Sequence, residues 1–286
     1  MAQQPYPALW IKADSLQNLG QVRSALDIVM DVYHKSDTDH IDDQHIKALI
    51  YRIRLEASFQ ENSMENAAAL VNKELKTAQT PVKQILYSIL AQVYHDYYSN
   101  NQWRIRDRKP IAGEPSDDIN TWDASRFVEI CTKYYSLSVS EAGVLQQIPL
   151  SRFESILDTN RESRKFRPSL YDFLAFRAID FFREESPFTI RSANEFIINK
   201  EDYFAPAADF IKMSVISEDS LSFTYQAMRL FQEVLRFHIG DQTGFSALVD
   251  ADLNRLAFVH QTSTNPDKDQ LYIQSLRYLV EKYKNQ

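Results

Sequence analysis

Six histidines, one cysteine and 39 carboxylates are the side chains here with the chemistry for acid–base, nucleophilic or metal work. The densest grouping is Asp37, Asp39, His40, Asp42, Asp43 and His45. Carboxylates and imidazoles chelate cations, but this spacing is neither a zinc pattern nor a calcium loop with its obligatory glycine. The stretch falls where a polar turn meets a helix start, and acidic groups there favour the helix dipole. It reads as a helix N-terminus. His34, His95, His238 and His260 fall near helix ends, with no neighbour in sequence that marks an oriented base–nucleophile pair. Core or capping roles are expected for them. Cys131, within Val128-Glu129-Ile130-Cys131, reads as the buried side of a helix. As a single cysteine it forms no disulfide within the chain, which leaves the compartment open. No phosphate-binding Gly-rich loop, HExxH, GxSxG or CxxC occurs. No catalytic, cofactor-binding or metal-ligating residue is assigned, and no cofactor is expected.

Charge narrows the partners. The net charge of −7 disfavours a general nucleic-acid binder. Two local basic clusters, Arg104/Arg106/Arg108/Lys109 and Arg161/Arg164/Lys165/Arg167, are flanked by acidic sequence and read as solvated loop charge. Aromatic residues make up 12% of the chain. Tyr94/Tyr97/Tyr98, Tyr134/Tyr135 and Phe181/Phe182 have the helical spacing of interhelix packing, although such clusters also line peptide grooves.

The elements that must position these groups are helices. With five glycines in 286 residues, the chain lacks the turn residues of a sandwich or barrel. Apolar residues recur every three or four positions: Val22, Ala25/Leu26, Val29/Met30, Tyr33; then Ile46, Leu49/Ile50, Ile53, Ala57; then Ile85/Leu86, Ile89/Leu90, Val93/Tyr94, Tyr97. Leu170, Phe173/Leu174, Arg177 and Phe181 form another stripe, opened by Pro168 and closed by Pro187. Three more follow: Leu221 to Leu235, Val249 to Val259, and Leu276 to Tyr283. Thr80-Pro81 and Asn265-Pro266 predict helix starts, and Ser151 with Glu154 has capping-box spacing.

Helices in pairs separated by short polar turns predict an all-α chain, an α-solenoid or tetratricopeptide-like array of helical hairpins. The opening pair carries small residues for close approach, Ala13 and Ala25, on either side of a turn at Gly20. The 34-residue tetratricopeptide period is not kept downstream. Two lobes are expected, 1–99 and 123–286, joined by a long irregular connection over 100–122. A short hairpin around Trp103-Arg104-Ile105 is expected there, with Trp103 and Trp122 anchoring the connection onto the helices. A second irregular stretch runs from Pro187 to Pro206, with Phe188, Phe196, Ile197, Ile198, Tyr203 and Phe204 packing across helix ends. No run of apolar residues is long enough to span a membrane, and no signal peptide is visible. Met1-Ala2-Gln3-Gln4-Pro5 reads as a start methionine placed before a processed N-terminus.

An ordered set of segments resembles the N-terminal helical region of bacterial alpha-2-macroglobulin-like proteins. The set begins with Leu9-Trp10, Asp14-Ser15-Leu16, Gly20 and Ser24-Ala25-Leu26, followed by Lys47-Ala48-Leu49-Ile50-Tyr51-Arg52. It continues with Tyr97-Tyr98, Asn101-Gln102-Trp103-Arg104-Ile105, Asp117-Asp118-Ile119 and Thr121-Trp122-Asp123. Arg167-Pro168-Ser169-Leu170-Tyr171-Asp172-Phe173-Leu174-Ala175, Phe204-Ala205-Pro206-Ala207 and Asp219-Ser220-Leu221-Ser222-Phe223 complete it. The similarity spans nearly the whole chain, through packing and turn signatures. It implies an exported, periplasmic or envelope-associated parent that traps or inhibits proteases through later β-rich domains. In many such proteins a Cys-Gly-Glu-Gln thioester captures the attacker; here Cys131 is followed by Thr132, and that motif is absent. The resemblance therefore implies a non-enzymatic scaffold or interaction region. Its partners would be the remaining domains of the parent chain, with proteases or other proteins beyond them. The alternative is an independent tetratricopeptide-like module that binds a protein or peptide.

Overall fold

The chain first reverses at Gly20, whose φ of 73° is a left-handed conformation that a Cβ would strain. Gly20 N–H donates to Gln17 O at 3.0 Å and Gln21 N–H to Leu16 O at 2.9 Å, the paired bonds of a Schellman cap. That turn joins α1 (Tyr6–Asn18) to α2 (Val22–Asp39). Ala13 and Ala25 are both buried, and their small side chains leave room for Leu9, Trp10, Val29 and Val32 to fill the interface. The computed structural model describes residues 5–109, 118–157, 161–184, 195–240 and 245–284.

α3 (Asp42–Ala57), α4 (Ser63–Leu75), α5 (Val82–Ile105), α6 (Ala124–Ser138) and the single turn α7 (Ala142–Leu145) follow in order. After them come α8 (Leu170–Arg183), the single turn α9 (Ala207–Phe210), α10 (Phe223–Ile239), α11 (Phe245–Thr262) and α12 (Lys268–Tyr283). Most helices pack on the next in sequence: α1 on α2, α2 on α3, α4 on α5, α5 on α6, α10 on α11 and α11 on α12. α8 lies against α10 and also touches α5 and α6. The result is an all-α protein of sequential helix pairs, with no sheet among the described residues; Pro149 and Ser169 form one isolated bridge. A buried cluster from Ile46 to Leu279 runs continuously through α3 to α12, and a smaller one joins α1, α2 and the outer side of α3.

Several expectations change. The hairpin around Trp103 is not formed, because α5 continues to Ile105 and Asn101 bonds back to Tyr97 O at 2.8 Å. Tyr94, Tyr98 and Ile105 keep one helical face buried to that point, so the apolar period outlasts the polar residues around it. Trp103 points away from this face and is 76% exposed, so it anchors nothing. Trp122 behaves as expected: it is 6% exposed and packs on Tyr94 and Phe127. Residues 110–117 of the intervening connection lie outside the described residues, as do Pro187 and Phe188.

Ser151 and Glu154 form no capping box; Leu150–Ile156 is a 3-10 turn behind Pro149, held where Leu150 N–H donates to Pro168 O. The box lies instead at Ser169 and Asp172, ahead of α8. At α5 the N-cap is Pro81, without a side-chain cap. Asn265 does not cap α12 either: the N-cap is Asp267, without a side-chain cap, and Asn265 Oδ1 accepts from Asp267 N–H at 2.9 Å in the turn ahead of the helix. Leu221 falls before α10 and is exposed; Ser222 caps that helix by accepting from Tyr225 N–H.

Candidate functional site

Two polar side chains of α11 line an open cleft. Asp252 and Arg255 stand one turn apart in an otherwise apolar run, Ala247, Leu248, Ala251, Leu256, Phe258 and Val259. Arg255 is fully buried. Its Nε donates to Asp252 Oδ1 at 2.7 Å, Nη1 to Tyr203 O at 2.6 Å and Nη2 to Ala205 O at 3.0 Å. The guanidinium also lies over the Phe210 ring, 4.5 Å from its centroid. Burial pushes the Asp252 carboxyl up, with Arg255 pulling the other way, so desolvation offsets much of the attraction. Above this pair a cleft of about 330 Å³ opens between α11, α12 and the Glu201–Phe204 turn. Glu201, Asp202, Ser275 and Tyr278 line it. Ser275 Oγ donates to Phe204 O at 2.7 Å and approaches Leu271 O at 2.9 Å, so it serves the backbone and faces no base. What this arrangement does chemically is hold the 203–205 backbone onto α11. The same stretch is pinned further back, where Ser263 Oγ and Thr264 N–H both donate to Ile198 O.

A second buried polar centre joins α8 to α10. Asp172 accepts from Ser169 N–H at 3.0 Å and Ser169 Oγ at 2.7 Å, and its other oxygen lies 2.6 Å from His238 Nε2. Serine, aspartate and histidine meet here in an order that does no nucleophilic work: the serine donates to the carboxylate, and all three are buried. Sequence gave no sign of it, since 66 residues separate Asp172 from His238.

The other histidines also have acidic neighbours. His45 Nε2 is 3.2 Å from Glu74 Oε2, and Tyr33 Oη donates to the other oxygen of Glu74. Burial works against charge on His45, but the hydrogen bond and charge of Glu74 outweigh it and raise its pKa. Glu74 is correspondingly lowered, first by the bond from His45 and then by that from Tyr33. His95 lies 3.3 Å from Glu184, and His260 lies 2.6 Å from Asp269 and stacks on Tyr272. Tertiary packing thus supplies His95, His238 and His260 with carboxylates that no neighbour in sequence marks, and His95 and His238 are buried as expected of core residues. His34 is exposed.

The acidic stretch at 37–45 disperses. Asp39 accepts from Tyr6 Oη and Lys35 Nζ, Asp42 pairs with Arg152 at 3.0 Å, and His40 ends α2 in a left-handed conformation. Among the described residues no group of His, Cys, Asp and Glu is placed to hold a metal ion. Cys131 is fully buried against Ala91 O, and burial pushes its thiol up. Tyr97, Tyr98, Tyr135, Phe181 and Phe182 are core; Tyr135 stacks on Phe181 at 4.6 Å between ring centres. In the second basic cluster Arg164 pairs with Glu154, Arg167 with Asp250 and Lys165 with Glu162.

Comparison with protein-family models, with curated proteins and with solved structures found no match. No helix among the described residues is long and apolar enough to cross a membrane.

Proposed function

We propose that this chain is a non-enzymatic helical scaffold, an α-solenoid of degenerate tetratricopeptide-like hairpins, within an exported alpha-2-macroglobulin-like protein. The parent would inhibit or trap proteases in the periplasm or cell envelope, and the partners of this region would be the parent's other domains. The observation that carries the reading is where the motif residues fall. Leu9, Trp10, Ala25, Ala48, Leu49, Tyr97, Tyr98, Trp122, Leu170, Tyr171 and Leu174 are all buried, so many of the resembling residues hold helices together, whereas Trp103 and Leu221 are exposed. The polar centres support the same role, because Asp172–His238 and Asp252–Arg255 both fasten one element to another.

The test is the parent reading frame and its product. An export signal upstream and β-rich domains downstream are expected, and protease capture by the whole protein should survive replacement of any polar side chain in this region that leaves the fold intact. A parent without either feature would overturn the proposal. The Schellman turn at Gly20 between the small residues Ala13 and Ala25 favours a second reading, an independent peptide-binding module. Saturable binding of a peptide to the isolated chain, abolished by a change on its surface, would favour that reading.

A further inference from the structure

The cleft between α11, α12 and the Glu201–Phe204 turn carries more acid than its structural ties use. At its floor Asp252 is 2% exposed, and Arg255 directs both of its bonds to that carboxylate at one oxygen. Nε and Nη2 reach Oδ1 at 2.7 and 2.6 Å. Oδ2 receives no hydrogen bond and is open to the cleft. At the mouth, the exposed side chains of Glu201 and Asp202 make no ion pair or hydrogen bond with a described residue.

The neighbouring cations do not answer this charge. Arg255 is neutralised by Asp252 and donates further to Tyr203 O and Ala205 O. Lys282, one turn beyond Tyr278 on α12, holds its ammonium over the Tyr278 and Tyr283 rings, 5.5 and 5.3 Å from their centroids, and pairs with no carboxylate. Local structure does not explain the two acids at the mouth either, since a four-residue 3-10 turn has little dipole for them to complement. An acceptor already withdrawn from bulk water, as Asp252 Oδ2 is, gains more from an incoming N–H than an exposed one does. Leu256, Leu271 and Leu279 supply apolar walls. The volume of about 330 Å³ lies near the lower end for small-molecule sites, roughly 300–1,000 Å³. An anion is repelled at the mouth, and a neutral ligand leaves its charge unmet. The net charge of −7 favours the approach of a cation.

We propose that this cleft binds an alkylammonium group. The ammonium donates to Asp252 Oδ2, its methylene chain lies along the leucines, and Glu201 and Asp202 supply the field that favours a cation. A lysine side chain of a polypeptide and a free aliphatic amine share this chemistry. The inference stands on the cleft alone and is independent of the parent-chain reading.

The leucine walls carry the readout. In the full chain with labelled leucine methyls, the NMR signals of Leu256, Leu271 and Leu279 report on the cleft. The probes are n-pentylamine and Nα-acetyl-lysine methylamide, with n-pentanol and pentanoate as neutral and anionic comparisons. Both amines should shift those signals saturably, and the comparisons should bind at least about tenfold more weakly. Glu201→Gln with Asp202→Asn should weaken amine binding by about tenfold and leave the melting temperature as in the unaltered chain. Gln274→Lys, which sets a fixed cation in the cleft, should abolish binding without unfolding the chain. Tighter binding of the acetyl-lysine compound would support the proposal and assign the site to a polypeptide lysine; tighter binding of pentylamine would support it and assign a free amine. Absence of saturable shifts, pentanol binding as tightly as pentylamine, or binding indifferent to both variants would overturn it.

Discussion

His238 Nε2 lies 2.6 Å from Asp172 Oδ1, and the second oxygen of the same carboxylate closes the capping box of α8. One buried side chain therefore fixes both the start of α8 and its docking on α10. Asp172→Ala would leave the imidazole and the Ser169 donors without their acceptor in a dry interior. A loss of about 3–5 kcal/mol is expected, the scale for removing one member of a buried pair. Urea unfolding measures it, and a loss of only a few tenths would mean that water reaches the site.

Arg255 should behave similarly but reveal more in combination. Arg255→Met strands the Tyr203 and Ala205 carbonyls and the Asp252 carboxylate, with an expected loss again of about 3–5 kcal/mol. Adding Asp252→Leu removes the stranded charge and should recover part of that loss. A double-mutant cycle checks this, and strict additivity would show that the two side chains do not act as a pair.

The two tryptophans that bracket the irregular connection should respond differently. Trp122→Ala opens a cavity beside Tyr94 and Phe127 and should cost about 3–5 kcal/mol. Trp103→Ala touches an exposed surface and should stay within about 0.5 kcal/mol of the unaltered chain. Thermal melts of the two variants side by side decide the matter; equal effects would contradict the burial described.

The tie among α2, α3 and α4 should depend on pH. His45 is raised above its ordinary 6.5, so its contribution is complete below about pH 6.5 and is lost as pH rises through the folded value. Glu74 is lowered below its ordinary 4.5, so its contribution is complete above about pH 4.5 and is lost as pH falls through the folded value. The melting-temperature difference between the unaltered chain and Glu74→Gln should therefore peak between those limits. A difference that is flat across the range would show that the pair is not coupled to folding.

Helices were legible wherever an apolar stripe recurred over several turns, because burial of one face repeats at the helical period. Gly20 was legible for a local reason as well: the turn needs a left-handed residue that glycine supplies. The end of α5 was misread because Asn100, Asn101, Arg104 and Arg106 look like a loop, while Tyr98 and Ile105 quietly keep the stripe. The polar centres were not legible. Asp252 and Arg255 left a faint mark, as a charged pair one turn apart inside an apolar helix. Asp172 and His238 left none, since their meeting is decided by how α8 packs on α10, which no local pattern encodes.

The most direct test of the scaffold reading is the size and location of the polypeptide that contains this sequence in its native cells. An antibody raised against the folded chain, applied to fractionated cells, should detect one much larger protein in the periplasmic or envelope fraction. A cytosolic band at 33.3 kDa, the mass of this chain alone, would contradict it.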